Sequence, residues 1–331
     1  MLHLFRQFSP FTVLILIIST LLLKFQALLH PVMPEALANQ FVFDYILNTL
    51  FFFFHDNKTM FTALAIFMLL LQALYVNYIS IRHKLFLHNT YLPAFSYLLL
   101  TSFHPAMNMF SAPLIANWAV LGCVNLILGF NQTSQPRKQI FNAAFILSLA
   151  VIVFPQSIVF FILFLLSLAL LRPLNLGEWT VGMMGILTPL YLLAGLLFLF
   201  DRVSLLDTLI KWHSISIPYI IRPVYFFSAV VGVSLLILIG LVLLQTQVAK
   251  LTVYVRRAWG VVIMYLILGM SVMLLSISSS TSAFLFLMPS VAFIITQCFV
   301  VEKRKWFSNF AFYFSVILLI FCQLAFTHQS T

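Results

Sequence analysis

The stretch PVYFFSAVVGVSLLILIGLVLLQ, residues 223–245, decides the fold. It carries no Asp, Glu, Lys or Arg. As a helix it would rise about 34 Å, enough to cross a hydrocarbon core of roughly 30 Å. It lacks the alternation of apolar and polar residues that a barrel strand needs. In lipid every backbone donor must find its acceptor within the segment, so helix is the state that remains.

Similar runs extend outward from it in both directions. They lie near 8–29, 59–79, 89–103, 111–130, 140–154, 156–171, 179–200, 258–277, 282–301 and 307–326, making eleven in all. Hydrophobic residues make up 63% of the 331-residue chain and charged residues 7%. A soluble domain has about 25% charged residues, so the solvent for most of this surface is lipid. The reading is an all-α polytopic bundle, a single integral membrane domain over residues 1–331. The net charge of +10 would suggest nucleic acid in a soluble chain, but here the charges sit in short loops between apolar runs. Cys123, Cys298 and Cys322 lie inside apolar runs without metal-ligand spacing and read as small packing residues. No cofactor motif occurs. With only 10 glycines against 37 phenylalanines, helix contacts are expected to rely on Ala, Ser and interlocking aromatics. The first run is too long for a signal-peptide core and has no small-residue cleavage site, so it is expected to stay as a span.

Loop charges orient the bundle. With the N-terminus in the cytoplasm, 12 of the 17 basic residues, from Arg6 and Arg82 to Lys305, fall on the cytoplasmic side. The positive-inside bias therefore predicts about eleven spans, N-in and C-out. The runs 89–103, 140–154 and 156–171 are short, and two alternatives stay open for them: plain short spans, or re-entrant segments. The outer loops 30–58 and 201–222 are longer than turns. In the second, Leu205, Leu206, Leu209 and Trp212 share one face, the spacing of a helix lying in the interface.

Any chemistry is directed outward. Five of the seven acids, Glu35, Asp44, Asp56, Asp201 and Asp207, fall on the outer side, and no acid lies within a span. The last point disfavours proton or sodium coupling. Asp44 and Asp56 are the candidate catalytic carboxylates. His55, His104, Arg202, Lys211 and Arg222 are candidate substrate-binding residues, because imidazoles serve proton transfer and Arg/Lys groups hold phosphate. Solvated loop residues are the plain alternative for each. On the inner side Arg172 and Glu178 are placed to pair across a turn. Asn117, Asn125 and Asn142 are placed to bond between helices, and Pro189 to kink its span.

The series NTYLPAFSYLLL (89–100), APLIAN (112–117), IFNAAF (140–145) and LRPLNLGEW (171–179) resembles an uncharacterised family of polytopic inner-membrane proteins from Bacteroidetes. A more distant, topology-level similarity is to C-type glycosyltransferases, which use polyprenyl-phosphate sugars and keep a catalytic acid in a long first outer loop. That resemblance implies a multi-pass protein of the bacterial inner membrane acting in envelope glycan assembly, with a polyprenyl-phosphate-linked sugar as partner and Asp44 or Asp56 as the acid. A non-catalytic scaffold or assembly subunit is the alternative. A transporter or flippase of a lipid-linked substrate comes third, and would need a cavity lined by Asn117, Asn125 and Asn142.

Overall fold

The computed structural model describes residues 2–6, 9–37, 39–55, 57–132, 135–210, 223–248, 251–276, 281–301 and 305–327. Every regular element among them is helical. In chain order these are α1 (Leu2–Arg6), α2 (Pro10–Leu23), α3 (Phe25–Leu29), α4 (Phe41–Phe54) and α5 (Lys58–Arg82). Then come α6 (Leu92–Leu100), α7 (Ala112–Leu128), α8 (Pro136–Val153), α9 (Phe160–Leu171) and α10 (Leu176–Leu199). The series ends with α11 (Leu205–Ile210), α12 (Pro223–Val248), α13 (Val253–Ser276), α14 (Met288–Val300) and α15 (Lys305–Thr327). Short 3-10 turns at Pro105–Asn108, Pro155–Val159 and Thr281–Phe286 join some of them.

Local chemistry sets the starts. Pro10, Pro93, Pro113, Pro136 and Pro289 stand in first turns, where the missing N–H costs nothing. Asn57 and Asn175 cap α5 and α10, their side chains accepting from Thr59 N at 3.1 Å and Gly177 N at 3.0 Å. Helix α10 runs on through Pro189, and the Thr188 hydroxyl bonds back to Met184 O at 2.6 Å.

Six of the described helices are long and apolar enough to cross a membrane: α5, α8, α10, α13, and the parts of α12 and α15 over Phe227–Val248 and Trp306–Gln323. The chain is therefore a helical membrane protein. Their outer faces present Leu192, Phe198, Val231, Leu238 and Ile317, all exposed.

Two short helices form the centre. Every residue of α6 is buried, as are Met288 to Phe299 of α14. They meet through Ser96 and Thr296, whose hydroxyls lie 3.0 Å apart. Helix α6 has nine residues, about 14 Å of axis, so the apolar run 89–103 is an enclosed element rather than a lipid-facing one. The α8–α10 contact is close because Gly185 has no side chain. A Cβ there would lie 2.7 Å from Phe141 O and 2.8 Å from Ala144 Cβ. Ser148 donates across the same seam to Ile186 O at 2.8 Å. Small residues thus set this contact as Ala and Ser were expected to, with a glycine at its tightest point.

Hydrogen bonds gather the connections at two ends. At the basic end, Arg6 donates to Phe299 O and Ser308 Oγ, both at 2.8 Å, and Tyr91 N donates to Phe5 O at 2.9 Å. There too Arg172 and Glu178 pair through two bonds, the shorter 2.6 Å, as the sequence suggested. At the opposite end, Gln323 donates to Leu23 O at 2.9 Å.

Candidate functional site

A cavity of about 440 Å³ lies towards the opposite end, between α12, α13, the Thr281–Phe286 turn, α14 and the turn after α6. Ala229, Val233 and Ile237 wall it from α12, and Met270 and Met273 from α13. Met107 and Met288 add two more flexible thioethers. The volume falls within the range of small-ligand sites, 300–1,000 Å³. Three wall residues, Val230, Leu238 and Met270, are 42%, 65% and 46% exposed. They belong to the apolar outer faces of α12 and α13, so the cavity opens sideways, through a surface that lipid would cover. Its α12 wall runs from Ala229 to Leu238, about 14 Å of helix axis, the depth of one leaflet's half of a 30 Å core.

The cavity is lined at one end by His104, the most buried of the predicted residues that the structure describes. His104 begins the Pro105–Asn108 turn, and its Nδ1 accepts from Ala106 N at 3.2 Å. The neutral ring therefore carries its proton on Nε2. It stacks on Phe284 with 6.5 Å between ring centres. Burial pushes its pKa down to about 4, so the imidazole is neutral at physiological pH.

Behind that turn lies Lys24, fully buried at the break between α2 and α3. Its Nζ donates to Thr101 Oγ1 at 2.8 Å and to Asn108 Oδ1 at 2.5 Å. One side chain thus holds both ends of the segment that closes the cavity. In the sequence, Lys24 is a lone charge interrupting the apolar run 8–29.

Two further polar clusters tie the core. Tyr97 donates to Gln72 Oε1 at 2.6 Å, Asn117 donates to the same atom at 3.3 Å, and Gln72 Nε2 reaches Leu114 O at 2.8 Å. At the basic end, His83 sits 3.0 Å from Asn125 Oδ1 and 2.8 Å from Tyr254 OH, joining α5, α7 and α13. Burial is the first cause lowering the His83 pKa. Asn117 and Asn125 bond between helices as expected, whereas Asn142 is exposed. The three do not line the cavity.

The other predicted residues are spread apart. Asp44 lies exposed in the first turn of α4 and accepts from Asn48 at 3.3 Å. His55 caps the same helix with a left-handed backbone (φ 48°) and is exposed, its Nδ1 3.3 Å from Phe53 O. Among the described residues these two are not bonded to each other. Arg202 is exposed. Asp56, Lys211 and Arg222 lie outside the described residues, as does most of 201–222. Helix α11 begins in that loop, with Leu205 and Leu206 half-buried and Asp207 exposed. In loop 30–58, α4 buries Phe43 and Leu47 and exposes Tyr45, Phe52 and Phe53. Among the described residues no three His, Cys, Asp or Glu side chains gather as a metal site.

One family model, described as a family of unknown function (DUF6427), matches residues 6–329. No curated protein and no solved structure matches the chain.

Proposed function

We propose, for a chain that belongs to the DUF6427 family of unknown function, that it is an integral protein of the bacterial inner membrane that takes one chain of a lipid-linked envelope-glycan precursor into its cavity. The observation that carries this reading is the cavity itself: apolar walls, a lateral opening among lipid-facing residues, and one leaflet's depth ending at a polar turn. Residues 1–331 then act as one membrane unit of about eleven spans. Its basic end, with Arg6, Arg82 and Arg172, faces the cytoplasm, and the His104 end faces outward.

Sugar transfer of the C-type glycosyltransferase kind would require an outer carboxylate at the head group, and Asp44 and Asp56 are the candidates. Loss of envelope glycan in both Asp44→Asn and Asp56→Asn strains would support catalysis. Glycan unchanged in both, but altered on deletion, would leave a subunit that presents the lipid to a partner. The exposed position of Asp44, bonded within its own helix, favours that second reading.

The lipid reading is tested with a photoactivatable single-chain lipid in nanodiscs. Adducts should map to residues 229–238 and 266–273 and should fall severalfold when Ala229→Trp fills the cavity. Labelling spread evenly over exposed faces such as Leu192 and Phe198 of α10, and unchanged in Ala229→Trp, would overturn it.

A further inference from the structure

We infer that the cavity is a slot of fixed length, which holds a lipid chain of no more than about fifteen carbons, an acyl chain rather than a polyprenyl one, with Ile237 and Leu266 setting the limit. This rests on the lipid reading above and adds the length class of the chain.

A limit requires a floor, and the crossing of α12 and α14 supplies one. A Cβ at Gly240 would lie 2.5 Å from Ile294 O and 2.8 Å from Ile294 Cγ2. At the same crossing Cys298 Sγ donates to Leu236 O at 3.6 Å. Leu236, Ile294 and Cys298 are all buried. The two backbones therefore meet with no room for a chain between them. Ile237 lines the cavity and stands half-buried, one turn before Gly240. On α13 the walls step from Met273 through Met270 to Leu266, from the end of the helix back towards its middle. Ile237 and Leu266 are thus the inward-facing wall residues nearest the floor, and the polar turn at His104 stands at the other end.

Depth and volume agree on what fits. The slot is as deep as one leaflet, and one leaflet is one acyl chain deep. A methylene group fills about the volume of a water molecule, roughly 30 Å³, so 440 Å³ has space for about fifteen. A polyprenyl carrier chain is several times longer, and its excess could leave only sideways, into the surrounding lipid. Met107, Met270, Met273 and Met288 let the walls adapt to a straight or a kinked chain alike. Length is then the property that the closed floor reads.

Single-chain lipids with one head group and a diazirine at the chain tip, ten, fourteen or twenty carbons long, would be compared in phosphatidylcholine nanodiscs, beside a polyprenyl lipid with the same tip. In the wild-type protein the fourteen-carbon tip should label Ile237 and Leu266. The ten-carbon tip should label one turn short of them, at Val233 and Met270. The twenty-carbon and polyprenyl tips should label Ile237 and Leu266 severalfold less, and should appear instead on outward positions such as the exposed Val231. Ile237→Phe should cut fourteen-carbon labelling of Leu266 severalfold and leave ten-carbon labelling of Met270 unchanged. Equal labelling of Ile237 and Leu266 by all three lengths in the wild-type protein overturns the inference, needs no variant, and leaves the lipid reading standing. Polyprenyl labelling there as strong as the fourteen-carbon labelling overturns it in the same way, as does Leu266 labelling unchanged in Ile237→Phe. If no tip maps to the cavity walls, the lipid reading falls and this inference falls with it.

Discussion

At the scale of the residue, buried polar groups carry most of the information. Gln72 accepts from both Tyr97 and Asn117 and donates to a main-chain carbonyl. Gln72→Leu would leave Tyr97 OH and Asn117 without that acceptor. An unsatisfied buried group costs about 1–3 kcal/mol, so the melting temperature in detergent should fall clearly. A fall no larger than that of a surface substitution such as Asn48→Ala would show that the cluster is not under such constraint. His104 gives a pH signature. Its folded pKa of about 4 lies below the unfolded 6.5, so the unfolded state binds more protons between these values. Stability should be full above pH 6.5, decline as pH falls, and level off near 4. His83 adds to the same decline, its pKa being lowered as well. Melting curves of His104→Asn should show a shallower decline than the wild type, and an unchanged slope would count against the buried, neutral His104. In sequence Lys24 showed only as a lone charge inside the run 8–29 and His104 only as a loop residue, because burial arises from other parts of the chain.

At the scale of the element, apolar runs located the helices, but length did not reveal their surroundings. The runs 140–154 and 258–277 became α8 and α13 with nearby bounds. The run 8–29 is broken at Lys24, and 282–301 divides into a 3-10 turn and α14. Helix α6 is enclosed because α5 and α14, with α1 and α2, pack around it, which hydropathy does not encode. Close approach was also hidden. Gly185 reads as one glycine among ten, yet it lets α10 rest on the Phe141 carbonyl. Gly185→Leu should cost about 1–3 kcal/mol through overpacking. A thermal melt unchanged from the wild type would show that α8 and α10 do not meet there. By contrast Asn57→Ala, at an exposed cap, should cost only about 1 kcal/mol.

At the scale of the whole molecule, the proposed orientation is open to direct measurement. The three cysteines are buried, so single cysteines added at the surface report on sidedness against a quiet background. A cysteine at Asp44 should react with an impermeant maleimide in intact cells, and one at Lys84 only after lysis. The reverse pattern would invert the proposed orientation while leaving the alternation of loops intact.

The membrane class follows from sequence alone, because a surface this poor in charge has no stable form in water, and backbone satisfaction in lipid leaves only helices. Loop charge further supplied a proposed sidedness, and residue type flagged the Arg172–Glu178 pair, whose members lie six positions apart. Tertiary structure decided what distant segments do together. It enclosed α6 and α14, opened a leaflet-deep cavity between helices separated by more than a hundred residues, and buried Lys24 behind its end wall. Those outcomes depend on which apolar faces meet protein and which meet lipid, and the two solvents ask for the same side chains.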